Sequence, residues 1–261
     1  DDPVFEEENG GMKRAQAVRE GGAMLPPVTI GGVWPPPGAP PVPGDKPVTI
    51  FRINGPRTLN LDGWTVNGPA APDGGDEDET MNPGTNARGD DGKDGMRLNI
   101  RNNGGPINIV NDVVLNLADG GNGGSASAVC GTATGGDGGN SGNFKMTASG
   151  GIDITNGTLR INPGRAGNGG DATVNAGADG GVGCPGGDGD DATATGGDGH
   201  DNRKRLLVRG NVSGINNITL GPLNAGNGGN ATAEACDGGD GEPCCDGGDG
   251  GDARATGGKG G

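Results

Sequence analysis

Hydrophobic residues in this chain occur mainly as short pairs that alternate with polar residues, the period-two pattern of half-buried β-strands. Three such pairs follow one another in three places, and Gly or Asn marks the corners between them. The sets are Leu98/Ile100, Ile107/Ile109 and Val113/Leu115; Phe144/Met146, Ile152/Ile154 and Leu159/Ile161; and Leu206/Val208, Val212 with Ile215, and Ile218/Leu220. Val48/Ile50 and Leu59/Leu61 form an earlier, incomplete set. The pattern predicts an all-β fold of short strands in repeated groups.

Equivalent pairs are separated by nearly constant distances along the chain. Pairs of the second set lie 46, 45 and 46 residues after their equivalents in the first set. Pairs of the third set lie 62, 60 and 59 residues after their equivalents in the second set. Such a repeat predicts a β-solenoid in which each coil stacks its apolar side chains on the coil below. The predicted coils lie near 48–61, 98–115, 144–161 and 206–220. A β-sandwich of short strands is the alternative fold.

Long irregular stretches rich in glycine, without apolar alternation, follow each set, at 63–95, 118–142, 164–203 and 224–261. Glycine recurs at every third residue from Gly177 to Gly189, and three residues per turn is the polyproline II period. A face of glycine lets such helices approach closely and bond through their amides. We therefore expect these stretches to form polyglycine-II-like arms, bundled against one another, on either the solenoid or the sandwich.

Two short motifs mark these stretches. Asn122, Asn168 and Asn227 each lie in a GNGG string, and ATGG(D/K)G strings begin at Ala133, Ala194 and Ala255, which are 61 residues apart. Over residues 118–142, 164–200 and 224–261 the GNGG, GGDGG and GGDG strings resemble the glycine-rich bundles of some phage tail-tip adhesins and springtail antifreeze proteins. They are also similar to glycine-rich repeats of secreted mycobacterial surface proteins. The resemblance implies polyglycine-II packing of these stretches.

Residues 1–46 differ in composition from the repeat domain, residues 47–261. Glu6-Glu7-Glu8 opens an acidic stretch, and residues 12–20 are compatible with two helical turns. Six of the nine residues from Pro35 to Pro43 are proline, a density that predicts an extended polyproline II path. We expect an extended arm that docks on a neighbouring subunit, with a semi-rigid spacer as the alternative. The start at Asp1-Asp2-Pro3 indicates a processed, mature chain.

Composition limits how the chain is held together and what it binds. Apolar residues make up 29% and aromatic residues 2%, too few for an ordinary core, so main-chain hydrogen bonds must supply much of the order. The net charge of −15 disfavours nucleic acid and anionic membranes as partners. No apolar run is long enough to span a membrane.

Cysteine and asparagine offer candidate covalent sites. The cysteines all lie in glycine-rich stretches, which favours disulfides in an oxidising compartment: Cys130, Cys184, Cys236, Cys244 and Cys245. Small apolar filler is the alternative role for these side chains. Four sequons offer glycosylation candidates, at Asn156, Asn211, Asn217 and Asn230.

Calcium is the metal that the sequence offers as an alternative. Gly-Gly-Asp-Gly strings match the first positions of a calcium-binding nonapeptide, and carboxylate and carbonyl oxygens suit this ion. The apolar eighth position of that motif is replaced by Thr193, Arg203 and Arg254, so we expect at most weak sites. The candidate ligands are Asp188, Asp191, Asp198, Asp201, Asp249 and Asp252. We expect no other cofactor.

Catalysis is not expected from this inventory. His200 is the only histidine and lies in a Gly-Asp run, and the carboxylates lack a pocket that would separate their pKa values. The sequence instead predicts an extracellular or cell-surface structural protein, the repeating subunit of a fibre that grows head to tail from its own copies. The alternatives are an adhesin for a surface glycan or receptor, an ice-binding protein using the Ala192–Thr195 alternation, and a calcium-dependent surface protein.

Overall fold

The structure is a computed structural model that describes residues 5–8, 11–15, 26–34, 48–80, 85–176, 191–200, 206–236, 249 and 251–261. Within these ranges the regular structure consists of β-strands and one short 3₁₀ helix, Ile215–Asn217. The prediction of an all-β fold is therefore confirmed.

Most strands recur in four groups, which we call repeats 1 to 4. Three strands precede them: β1 (Phe5–Glu8), β2 (Gly11–Ala15) and β3 (Val28–Trp34). Repeat 1 contains β4 (Val48–Ile53), β5 (Leu59–Asn67), β6 (Glu77–Glu79) and β7 (Asn86–Arg88). Repeat 2 contains β8 (Arg97–Asn102), β9 (Ile107–Ile109), β10 (Val113–Asn116), β11 (Ala126–Val129) and β12 (Thr132–Thr134). Repeat 3 contains β13 (Asn143–Ala148), β14 (Ile152–Asp153), β15 (Leu159–Asn162), β16 (Ala172–Asn175) and β17 (Ala192–Thr195). Repeat 4 contains β18 (Leu206–Arg209), β19 (Val212–Ser213), β20 (Ile218–Leu220), β21 (Ala231–Ala233) and β22 (Ala253–Thr256).

Strands at equivalent places in successive repeats pair with one another in parallel. Sheet A has the order β1-β2-β4-β8-β13-β18, and sheet B joins β3 and β5 to β9, β14 and β19 and to β10, β15 and β20. Sheet C is β6-β11-β16-β21 and sheet D is β7-β12-β17-β22. The apolar pairs meet at the spacing that the sequence predicts: Leu98 with Phe144 and Leu206, Ile107 with Ile152 and Val212, and Val113 with Leu159 and Ile218.

The register of repeat 1 differs from the sequence interpretation. Leu98 and Ile100 pair with Thr49 and Phe51, one residue away from Val48 and Ile50. The sequence of β4 contains two alternating apolar sets, Val48/Ile50 and Phe51/Ile53. A shift of one residue exchanges the two faces of a strand, so the sequence alone does not show which set faces the core. Phe51 and Ile53 are buried, and the ring of Phe51 meets the ring of Trp64 edge to face, with their centroids 5.1 Å apart.

Strand β5 of repeat 1 corresponds to two separate strands in each of the later repeats. Its first half pairs with β9 and its second half with β10. Gly63 has φ +59°, a left-handed conformation that inserts an extra residue and shifts the alternation of inward side chains. Leu59, Leu61, Trp64 and Val66 are consequently all buried. In repeat 1 the apolar pairs Leu59/Leu61 and Trp64/Val66 therefore lie in one continuous strand, and the sequence analysis recognises only the first of them.

Two cores lie between the sheets. The larger holds the Ile, Leu, Val, Phe and Trp side chains of sheets A and B. A smaller one consists mainly of alanine from sheets C and D, including Ala126, Ala172 and Ala194. The expectation that the glycine-rich stretches lack alternation is therefore wrong. They contain the strands β6, β7, β11, β12, β16, β17, β21 and β22, whose inward residues are mostly alanine rather than large aliphatic side chains.

The described residues before repeat 1 lie mostly in β-strands and include no helix. The expectation of helical turns over residues 12–20 is wrong for β2, which pairs antiparallel with β1 and in parallel with β4 through Lys13 and Ile50. A short isolated helix is only marginally stable, whereas the edge of β4 supplies hydrogen-bond partners for the main chain of β2. This pairing outweighs the weak helical preference of the sequence. The proline-rich residues 35–47 lie outside the described residues.

Candidate functional site

Each repeat contains two glycine segments, one before its last two strands and one after its last strand, and these segments hydrogen bond through their main chains. We call them the first glycine segments, residues 72–76, 120–125, 166–171 and 225–230, and the second glycine segments, residues 89–94, 135–140, 196–200 and 257–261. Their backbone N–H groups fall into three classes, and each class recurs at every third residue.

The first class of N–H donors joins one repeat to the next. In the first segments Gly74 donates to the carbonyl of Asn122 at 2.7 Å, and Gly123 and Gly169 continue the series, donating to Asn168 and Asn227. In the second segments the same direction holds for Gly92 to Asp137, Gly138 to Asp198 and Gly199 to Lys259. Every repeat is thus bonded to its successor in the same sense.

The second class joins first segments to second segments in a continuous zigzag. Gly136 donates to the carbonyl of Gly124, and Gly170 donates in turn to Gly136, both at 2.8 Å. The full series runs Asp90 to Gly75, Gly124 to Asp90, Gly136 to Gly124, Gly170 to Gly136, Gly197 to Gly170, Gly229 to Gly197 and Gly258 to Gly229. A parallel series three residues away runs through Lys93, Gly121, Gly139, Gly167, His200, Gly226 and Gly261. Chains of this kind polarise one another, so they strengthen cooperatively.

The third class of N–H groups is capped by side chains. The amide of Asn168 donates to Oδ1 of Asn122 at 3.0 Å, and the amide of Asn227 donates to Oδ1 of Asn168 at 2.9 Å. Asp73 begins this ladder. A second ladder runs Asp91, Asp137, Asp198 and Lys259. A short side-chain oxygen supplies an acceptor where no main chain lies opposite the donor, and it keeps buried or half-buried amides satisfied.

At most positions of the first two classes, glycine is required by space. A Cβ atom on Gly136 would collide with the carbonyl of Asp90, and one on Gly170 with the carbonyl of Gly124. Side chains occur mainly at the third class, where residues such as Asn122, Asn168 and Asp137 are exposed, while Asp90, Lys93 and His200 are second-class exceptions. This is why most of the segments read Gly-Gly followed by Asn or Asp.

The predicted calcium ligands are distributed over these ladders. Oδ1 of Asp198 accepts the amide of Lys259, and Oδ1 of Asp191 accepts the amide of Asp252, both near 2.9 Å. Asp249 also has a polar partner, while Asp188 and Asp201 lie outside the described residues. No group of three or more His, Cys, Asp or Glu side chains arranged for a metal occurs in the described part of the chain. Calcium binding stays a prediction.

One disulfide joins two of the predicted cysteines. Cys130, just after β11, bonds to Cys236, just after β21, with their Cα atoms 6.0 Å apart. The bond connects repeat 2 to repeat 4 and closes a sequence separation of 106 residues. Cys184, Cys244 and Cys245 lie outside the described residues.

The sequons occupy different environments. Asn156, Asn211 and Asn230 are exposed, whereas Asn217 is half-buried and its Nδ2 donates to the carbonyl of Ile154 at 2.7 Å. A glycan on Asn217 would be attached to this same Nδ2 atom. Glycosylation of any of the four remains a prediction.

A polar groove follows the Asn ladder along its length. Its volume is about 700 Å³, and Asn122, Asn168 and Asn227 line it together with Asp119 and Arg165. The Arg165 amide donates to Oδ1 of Asp119 at 2.7 Å. Elsewhere, at a corner of sheet B, hydrogen bonds from the Thr155 amide and hydroxyl and the Ser213 hydroxyl lower the pKa of the Asp153 carboxyl.

The edges of the sheets form the remaining notable surface. Strands β18 to β22 of repeat 4 each have a sheet partner on only one side among the described strands. Large apolar side chains are exposed in this repeat, Ile215 at 65%, Leu220 at 56% and Leu223 at 55%. At the opposite edge of sheet B, Val33 on β3 is 52% exposed.

The sequence alone did not reveal the third-class ladders or the disulfide pairing. The sequence analysis predicts Asp residues such as Asp198 only as weak calcium ligands, although the spacing of the Asp and Asn residues from repeat to repeat matches the spacing of the strands. That match was the signal available in the sequence.

In comparisons with known proteins, no family model, no curated protein and no solved structure matches this chain. The described residues include no helix with the length and apolar character needed to cross a bilayer.

Proposed function

We propose that this chain is an extracellular structural protein, the repeating subunit of a fibre, and that it has no catalytic role. We further propose that repeats 1 to 4 are coils of a β-solenoid that carries polyglycine-II-like arms. The parallel pairing of equivalent strands in successive repeats supports the solenoid over the sandwich, whose sheets are built mainly from antiparallel strands. The three-residue recurrence of the glycine donors supports the arms.

The open edges of the parallel sheets are the observation that carries the fibre proposal. An unpaired strand edge is a template for another chain. Sheet B has one edge at β3 and the other at β19 and β20, so its two edges differ and a copy adding in the same direction leaves a new free edge. A heterologous contact of this kind grows without closing. Exposed Leu220 at one edge and exposed Val33 at the other add apolar surface that such a contact would bury.

The experiment is electron microscopy and sedimentation of the purified chain over a range of concentrations, beside two lysine variants. We expect filaments from the native chain and none from Leu220→Lys/Leu223→Lys, because edge lysines oppose strand addition. Both leucines are exposed, so the thermal stability of that variant should stay unchanged within about 0.5 kcal/mol. Asn156→Lys, an exposed corner residue of repeat 3, is the matched control and should assemble like the native chain.

Discrete particles from the native chain at every concentration would contradict the fibre proposal. They would favour the second candidate, an adhesin. The polar groove along the Asn ladder supports that candidate, since amide and carboxylate groups in a groove are suited to hydroxyl-rich ligands such as a surface glycan.

A further inference from the structure

In repeat 4 a set of backbone donors has no acceptor among the residues that the structure describes. The first-class series that begin at Gly74, at Gly89 and at Gly92 run through the repeats and end at Gly228, Gly257 and Gly260. Each earlier member donates to the next repeat; Gly196, for example, donates to the Thr256 carbonyl at 2.9 Å. The three terminal N–H groups have no acceptor among the described residues. They point to the side where a further chain would continue the pattern.

The same end keeps glycine at positions where the described part of the chain does not require it. A Cβ on Gly196 would collide with the carbonyl of Gly229, which belongs to the first glycine segment of the next repeat. Among the described residues the nearest atom to a Cβ at the equivalent Gly257 lies at 3.7 Å and the nearest at Gly260 lies at 3.8 Å, so alanine fits at both against these neighbours. The space that glycine leaves open there suits the close approach of a main chain from outside the described residues.

Residues 35–47 have the chemistry to fill this place. In chain order they connect β3 to β4, the position that the glycine-rich stretches occupy between the later repeats. Their sequence, PPPGAPPVPGDKP, is rich in proline. Proline has a carbonyl acceptor but no N–H, and proline-rich chains favour the same three-residue turn as polyglycine II. Such a segment accepts hydrogen bonds from the open donors and leaves few donors of its own unpaired.

The segment cannot reach its own repeat 4. Its ends are fixed in β3 and β4, and in sheet B β3 is four strand spacings from β20. Four spacings amount to about 19 Å. Thirteen residues that run out and back reach only about 20 Å at the polyproline II rise, which leaves no length to lie along Gly257 and Gly260.

We propose that residues 35–47 of a second copy dock on the open glycine surface of repeat 4, formed by Gly228, Gly257 and Gly260. This contact would form part of the proposed head-to-tail assembly, and the proposal rests on that assembly. Strand β3 precedes this segment directly, so the edge of β3 on β19 and β20 and the proline segment on the glycine surface belong to one continuous interface.

The test uses a fluorescently labelled peptide of residues 34–47 and the full chain carrying Leu220→Lys/Leu223→Lys, which keeps the chain unassembled. Binding is followed by fluorescence anisotropy. We expect saturable binding that weakens about tenfold or more when Gly257→Ala and Gly260→Ala are added, because two methyl groups occupy the approach path. The melting temperature should not change. A peptide with alanine at positions 36, 37, 40 and 41 keeps the length, loses the polyproline preference and should bind equally weakly.

Equal peptide binding with and without the alanines, or no binding of the native peptide, overturns the proposal. Whether the native chain forms filaments distinguishes a failure of the docking proposal from a failure of the fibre proposal. Filaments that persist unchanged in Gly257→Ala/Gly260→Ala refute the docking and leave the fibre standing. Loss of peptide binding in that variant, without filaments from the native chain, supports the docking and refutes the fibre.

Discussion

Replacing Gly136 and Gly170 with alanine is expected to lower the free energy of unfolding by about 3 kcal/mol per site. Each new Cβ would collide with a carbonyl oxygen, that of Asp90 or that of Gly124, and neither oxygen belongs to a flexible side chain that can move aside. The collision also breaks one link of the zigzag of backbone hydrogen bonds. Urea unfolding followed by circular dichroism measures the loss.

Gly257→Ala is the matched control for these two variants. It lies in an equivalent glycine segment, but the nearest atom to a new Cβ is 3.7 Å away, so we expect its stability to change by less than about 0.5 kcal/mol. If Gly136→Ala and Gly170→Ala are as stable as this control, the close packing of the glycine main chains is wrong.

Removing the disulfide with Cys130→Ser/Cys236→Ser should have the second large effect. The bond closes a loop of 106 residues, and the chain-entropy model assigns about 4–5 kcal/mol to a loop of that length. The double-serine variant should have the same low urea midpoint with and without a reductant. The native chain should fall to the same midpoint only when a reductant is added.

The single variant Cys130→Ser serves as the control for pairing. It should destabilise the chain as much as the double variant, because one cysteine cannot form the bond. A native chain whose midpoint is insensitive to reductant, or peptide mapping that joins Cys130 to a cysteine other than Cys236, contradicts this account.

The large aliphatic side chains made the strand positions predictable. Leu98, Phe144 and Leu206 lie in one column because parallel, in-register pairing places like residues on like, and the sequence spacing records that register directly. The interval therefore predicted which strands meet. It was less informative in β4, where both faces are apolar, and in β5, where the bulge at Gly63 removes the break between two strands.

The glycine-rich stretches were harder to interpret, for two physical reasons. Strands such as β11 and β16 alternate alanine with Ser or Thr, and alanine contributes little to a hydrophobic pattern. The Asx ladders depend on contacts between residues tens of positions apart, so a carboxylate that caps an amide looks the same in sequence as a solvated charge. The disulfide pairing depends on the same long-range register, which cysteine counting does not contain.

Hydrogen exchange of individual glycine amides tests the central claim, that packed main chains replace a large part of the missing apolar core. The amides of Gly136, Gly170 and Gly197 should exchange as slowly as those of Leu115 and Ile161 in sheet B, because all of them donate to backbone carbonyls inside the fold. Exchange of the three glycine amides at the rate of an unstructured peptide, while sheet B stays protected, would contradict it.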